Sequence, residues 1–165
     1  MSVAGLLVGL TMLAEQCGPA VHPATTTAII KVESGGQPFA IHDNRTNRSY
    51  FPQTKIEAQW IAYTLLTRDH SIDMGLMQVN STHITGMGID YRELFDPCYN
   101  IAVGTRVLGD FYRRYNNSTT SPETALLYAL SGYNTGTPYK GRNYVNRILE
   151  AAGSAVRVPI SSTAQ

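Results

Sequence analysis

Charge is scarce in this chain: of 165 residues only 15% are Asp, Glu, Lys or Arg, and the formal net charge is +1. There is no basic stripe to hold a phosphate backbone and no acidic block to act as a solvated tail, so nucleic acid is not expected as a partner. Long apolar runs are missing too. Nothing approaches the roughly twenty residues that cross a bilayer, and no membrane span is expected. Ser2 to Ala14 is apolar, but the first Lys or Arg is Lys31, so the charged start of a signal peptide is absent. Val3, Leu6, Leu7, Leu10, Leu13 and Ala14 recur at helical spacing, which favours a packing helix and leaves a residual signal segment open. Cysteine is limited to Cys17 and Cys98, too few for zinc and wrongly spaced for a redox pair. They form either two buried thiols or a disulfide worth about 2–4 kcal/mol in an oxidising compartment. The histidines at positions 22, 42, 70 and 83 make no helical pair and no cluster with cysteine. Neither a metal nor a cofactor is expected. Internal repeats and low-complexity segments are also lacking.

What is present suffices for one core: 43% of the residues are hydrophobic, and the length argues for a single domain. Ten tyrosines against four phenylalanines, with many Asn, Thr and Ser, would suit a groove that packs on sugar faces, although composition cannot establish one. After a break at Cys17-Gly18-Pro19, Pro23 opens a helix that stops at Gly35-Gly36. Residues 37–53, broken by Pro38 and Pro52, read as a surface loop with short extended pieces. Thr54 and Glu57 have capping-box spacing, and a third helix follows to near Asp69 with Ile56, Trp60, Ile61 and Leu65 on one face. The glycines of residues 71–90 argue for turns or a small hairpin, the best place for β-structure. Asp96-Pro97 starts a helix with Ile101, Thr105, Leu108, Phe111, Tyr112 and Tyr115 inward. Ser121-Pro122-Glu123 starts another, ending near Ser131 before Gly132 to Gly136. The last helix runs from about Arg142 to Ala152, and Ala155 to Gln165 reads as a frayed tail.

Glu33 is the residue that carries chemistry. It closes an apolar helical stretch and falls below Ile29 and Ile30, on the face that must be buried. A carboxyl there loses hydration and lies near the negative helix end; both effects raise its pKa, as a general acid near neutral pH requires.

Three stretches stand in order: Glu33-Ser34-Gly35-Gly36, Gly75-Leu76-Met77-Gln78-Val79-Asn80, and Gly132-Tyr133-Asn134-Thr135-Gly136 followed by Tyr144. Together they resemble the lytic transglycosylase family with the lysozyme-like fold, in particular the small enzymes associated with type IV secretion systems. The resemblance covers about residues 17–152. It implies an α+β, predominantly α-helical, lysozyme-like fold with a small β-hairpin region, a domain over residues 1–152 and a C-terminal tail over 153–165. Glu33 matches the single catalytic acid, and Ser34 the residue that orients the carboxyl or the substrate. Gly75, Leu76, Met77, Gln78 and Asn80 match the groove-lining segment, with Gly75 permitting close backbone approach and Met77, Gln78 and Asn80 contacting the glycan. Val79 is expected in the core. Asn134 is the candidate to hold an acetamido group, Tyr133 to shape the cleft, and Tyr144 to lie close to the acid. Gly132 stands where the family often has alanine.

By the same resemblance Cys98 is expected to pair with Cys17, which points to the periplasm. Expected partners are peptidoglycan glycan strands and secretion-system components, with the protein itself a monomer. Most glycosidases use two carboxylates, whereas the family uses one and closes a 1,6-anhydro ring on the muramyl sugar without water. Asp73, two residues before Gly75, is the best candidate for a second carboxylate and reads as a turn residue; facing the cleft, it would make hydrolysis plausible. A hydrolytic muramidase and a peptidoglycan-binding assembly factor are the competing readings.

Overall fold

A computed structural model of the protein describes residues 3–155 and Val158, with side chains from Val8 onward. The packing expected of Val3, Leu6 and Leu7, and most of the expected tail, lie outside the described residues. In chain order the elements are α1 (Val3–Cys17), α2 (Pro23–Glu33), β1 (Ile41–Asp43), β2 (Arg48–Tyr50), α3 (Lys55–Leu66), β3 (Ile72–Met74), β4 (Val79–Asn80), α4 (Thr82–Met87), a 3-10 turn at Tyr91–Phe95, α5 (Pro97–Tyr115), α6 (Pro122–Thr135) and α7 (Arg142–Ala151). The strands form one antiparallel sheet in the order β2-β1-β3-β4. The fold class is therefore the helical α+β one expected, with more sheet than a single hairpin.

Local chemistry sets the helix starts. Pro23, Pro97 and Pro122 each open a helix, where a missing N–H costs nothing. The side chains of Thr54, Asp96 and Ser121 accept from the amides of Glu57, Tyr99 and Thr124, satisfying first-turn donors.

Four sequence readings are corrected. The third helix buries Ala58, Ala62 and Leu65, while Ile56 and Trp60 are 79% and 68% exposed. An apolar face at helical spacing was present, but the small residues on the adjacent face are the ones that let the helix approach the sheet. Residues 37–53 are not all surface loop, because β1 lies in the sheet with Ile41 and Asp43 buried. Residues 71–90 hold a short helix, α4, beside the hairpin. Finally α6 runs four residues beyond Ser131 and is capped by Gly136 in the left-handed region (φ 72°). Its amide, not a break at Gly132, closes the helix by donating to Gly132 O. Gly132 stays helical, and a Cβ there would lie 2.6 Å from Cδ1 of Phe111. Close packing explains this glycine better than backbone freedom.

Two apolar clusters result. One joins α1, α2, α5, α6 and α7 through residues such as Leu10, Ile29, Ile30, Leu130 and Ile148. The other lies under the sheet, with Ile41, Ala62, Ile72, Met74, Leu94 and Phe95. Phe111 and Tyr133 pack against both, so they mark the seam. The Cys17–Cys98 disulfide joins the end of α1 to the start of α5 across 81 residues. Beyond α7, Val158 is held by Asn146, whose amide group bonds both its backbone N–H (2.8 Å) and its C=O (3.1 Å).

Under the β1–β2 turn the fully buried Asp43 accepts from Thr46 Oγ1 (2.6 Å), the Arg45 amide (3.0 Å) and His70 Nδ1 (2.9 Å). Burial opposes its charge, but the Thr46 and His70 bonds and the Arg45 amide outweigh it and hold the carboxyl at about 2. The effect is to clamp the turn onto the connection between α3 and β3, which holds β1 beside β3.

Candidate active site

A groove runs along the seam between the clusters. It consists of two adjoining cavities of about 280 and 290 Å³ that share Glu33, Asn44, Asp73, Gln78 and Asn134. Glu33 ends α2, about one turn below the fully buried Ile29 and Ile30, so its carboxyl emerges from the core directly into the groove. Burial is the largest influence on it and raises its pKa to about 7; the Asp73 charge also raises it, against the Tyr144 hydrogen bond and Arg147. Tyr144, buried on α7, donates its hydroxyl to Glu33 Oε1 at 2.6 Å. Burial first, and then the charge of Glu33, raises the phenol's own pKa, so it remains a donor.

The segment 75–80 has a different task from the one its motif suggested. Leu76 and Met77 are buried, Met77 completely, packed against Gly104 of α5, so neither side chain lines the groove. Gly75 is glycine because its φ is 76° and because a Cβ would run into Asn100 and the Leu94 carbonyl, not because a ligand approaches it. What the segment offers is backbone. Ser34 Oγ donates to Leu76 O at 2.8 Å, Tyr133 Oη donates to Met77 O at 2.7 Å, and the Met77 amide donates to Asn100 Oδ1 at 2.8 Å. Three helices are thereby tied to one loop around the acid. Ser34 is thus a tie between α2 and the loop, with no hydrogen bond to the Glu33 carboxyl. Gln78, at a φ of 48° that costs a non-glycine residue of order 1 kcal/mol, is held by its own amide donating to Ala40 O (3.1 Å) and Gly75 O (2.9 Å). It does line the groove, as do Val79 and Asn80.

The sheet supplies the facing wall. Paired residues on neighbouring strands share a face, and the registers Ser49–His42, His42–Asp73 and Asp73–Asn80 lay a polar row across it. Asp73 is therefore a strand residue at the groove, not a turn residue. Asn44 Nδ2 donates to its Oδ2 at 2.9 Å and Asn80 Nδ2 to its Oδ1 at 2.6 Å. On the α6 side stand Tyr133 and the exposed Asn134, whose amide makes no hydrogen bond among the described residues. His83, Val107 and Phe111 also border the 280 Å³ cavity. Sequence reasoning passed over these three and Asn44. For Asn44 no signal existed, since its role depends on pairing β1 with β3; Phe111 was visible only as an inward residue of a helix. No group of His, Cys, Asp and Glu suited to a metal ion occurs among the described residues.

A helical α+β domain with a groove, a half-buried protonatable carboxyl and a polar wall is the architecture of a lysozyme-like domain. Residues 11–148 match the family described as Transglycosylase SLT domain, and the chain belongs to that family. It is similar to Protein virB1 of Agrobacterium fabrum, 34% identical over 145 residues that cover 87% of this chain and 59% of that protein. It is also similar to the Type IV secretion system protein virB1 of Brucella abortus biovar 1, 33% identical over 154 residues that cover 88% of this chain and 65% of that one. The Invasion protein IagB of Salmonella typhimurium is 36% identical over 91 residues, half of this chain and 52% of its own length. The chain thus spans about three-fifths of the virB1 proteins it matches. No solved structure matches it.

Proposed function

We propose that the protein is a peptidoglycan lytic transglycosylase that cleaves the β-1,4 bond between N-acetylmuramic acid and N-acetylglucosamine, with Glu33 as the general acid and then the base. The observation that carries this is a carboxyl raised to about 7 at the centre of a groove open on both sides of it, with Tyr144 fixing one of its oxygens. Near neutral pH such a group holds a proton much of the time and can also take one back. It gives the proton to the bridging oxygen as the C1–O bond breaks, while the substrate's acetamido oxygen supports the cationic sugar. The muramyl C6 hydroxyl then adds to C1 and returns its proton to Glu33, closing a 1,6-anhydro ring. In this reading Asn134 holds an acetamido group, Tyr133 shapes the cleft and Tyr144 positions the acid. Gln78 and Asn80 border the sugar, and Asn80 does so while bonded to Asp73, Ser71 and the Thr82 amide.

Two further facts support a site of action. The Cys17–Cys98 bond suits an oxidising compartment, and two relatives carry names that place them in type IV secretion or call them virB1. We therefore assign the activity to the cell wall, outside the cytoplasm and in the periplasm, in the service of a secretion machine. Glu33→Gln tests the core of the proposal: turbidity clearing of purified peptidoglycan should fall by at least about 1,000-fold, in line with loss of a general acid and its positioning. Products of the parent should include ends lighter by one water than reducing ends. Wall clearing that survives in Glu33→Gln would refute the assignment.

A further inference from the structure

One end of the groove carries an apolar side chain that the fold leaves mostly uncovered. Phe51 is 61% exposed and lines the cavity that reaches from Glu33 toward β1 and β2. Ile56, Trp60 and Tyr63 are exposed as well, yet they stand on α3, which packs under the sheet, and they border neither groove cavity. Strand alternation explains the difference. Ser49 pairs with His42 on the polar row, Tyr50 turns to the cluster under the sheet, and Phe51, next in the alternation, comes back to the groove. Its ring joins no aromatic pair among the described residues, so a large apolar surface is left in water. The backbone, in contrast, is held. Pro52 restricts the residue before it to extended conformations, and Gln53 Nε2 donates to Phe51 O at 3.3 Å. In the same cavity His42 Nδ1 and Ser49 Oγ share a hydrogen bond of 3.0 Å. This end of the groove therefore presents a fixed aromatic face beside a polar rim.

We infer that Phe51 is the platform of a distal sugar subsite, on which an N-acetylated pyranose of the bound strand stacks while His42 and Ser49 bond its hydroxyls. This rests on the glycan-cleaving reading of the site. A pyranose has a face of C–H bonds, whose positive edges suit the negative face of a phenyl ring, and a rim of hydroxyls that needs donors and acceptors. The cavity supplies both. Glu33 borders both cavities and Phe51 only one, so the platform serves a sugar to one side of the broken bond. A protein segment seated there would shut the groove that Glu33 needs. The subsite takes no part in the chemical step. Its grip on an unreacting sugar sets the register of the strand, and binding energy from such parts of a substrate serves to orient the reacting centre. Strands long enough to reach Phe51 are therefore the preferred substrates.

Calorimetric titration of the full chain carrying Glu33→Gln with chitooligosaccharides, from the dimer to the hexamer, tests the subsite without turnover. Affinity should climb with length and gain about tenfold or more at the sugar that reaches Phe51. Adding Phe51→Ala should abolish that step, while oligomers too short to show it bind within about threefold of Glu33→Gln alone. Phe51→Trp should keep the step, and Phe51→Leu should lose most of it, because leucine is apolar but has no ring face. With Glu33 intact, Phe51→Ala should lose about tenfold or more of kcat/KM on purified peptidoglycan. A length step that survives Phe51→Ala, an equal loss at every length, or a Phe51→Leu variant that binds like the parent overturns the inference. So does a melting temperature lowered by more than about 5 °C in Phe51→Ala, since the ring would then be holding the fold. Absence of binding at every length in Glu33→Gln removes the glycan reading beneath the proposal, whereas binding with an unaltered length step removes only the subsite.

Discussion

Glu33 and Tyr144 act as a unit that neither could form alone. Burial raises the carboxyl, and Asp73 adds to the rise; the phenol O–H, with help from Arg147, pulls the other way and keeps the acid near the pH at which it works. The general acid must carry its proton, so turnover should fall as pH rises through about 7. Tyr144→Phe removes a hydrogen bond that favours the charged form. The alkaline limb of the kcat–pH profile should therefore move upward. At the same time kcat should drop about 10- to 150-fold, because the negative charge that develops on Glu33 as it gives up its proton loses a charge-assisted bond of roughly 1.5–3 kcal/mol. Profiles of parent and variant between about pH 5 and 9 check both signs, and a limb that stayed or moved downward would contradict this account.

Asn100 shows how one side chain can set the course of a whole segment. From the first turns of α5, fully inside the protein, it donates to Met74 O and Leu94 O at 2.8 Å each and accepts from the Met77 amide. It thereby binds the end of β3, the 3-10 turn and the loop that carries Gln78 and Asn80. Asn100→Ala would leave one buried N–H and two buried carbonyls unpaired. At about 1–3 kcal/mol for each unsatisfied group, and with partial relief by water, the expected loss of unfolding free energy is about 3–5 kcal/mol. Denaturant titration measures it, and activity should fall further than stability alone explains, because the groove wall loosens with the loop.

The disulfide works across 81 residues of the chain. By joining Cys17 to Cys98, two residues before Asn100, it ties α1 to the helix that holds the groove loop. Closing a loop of this length in the unfolded chain stabilises the fold by about 2–4 kcal/mol. Reduction, or the double change Cys17→Ser and Cys98→Ser, should lower the melting temperature by about 5–15 °C in a domain of this size. Thermal unfolding with and without reductant reads the difference, and an unchanged midpoint would show that α1 docks by packing alone.

Sequence alone settled what depends on neighbours along the chain. The starts of the helices at Pro23, Pro97 and Pro122 were legible because capping is local, and the half-burial of Glu33 because helical spacing put it under Ile29 and Ile30. The Cys17–Cys98 pairing came from resemblance, and the structure bears it out. The face of α3 was misread because exposure depends on what the helix meets: Ile56 and Trp60 have the right spacing but nothing to pack on. Met77 and Leu76 sit in a motif that looks like a binding surface, yet their side chains fill the core and their backbone holds the site together. Asp73 passed for a turn residue until strand pairing set it between Asn44 and Asn80. Helical periodicity is written within a few consecutive residues, so it can be read from them. Which carboxylate faces which across a groove is decided by contacts between residues 33, 44, 73, 80 and 144, and only the folded chain brings those together.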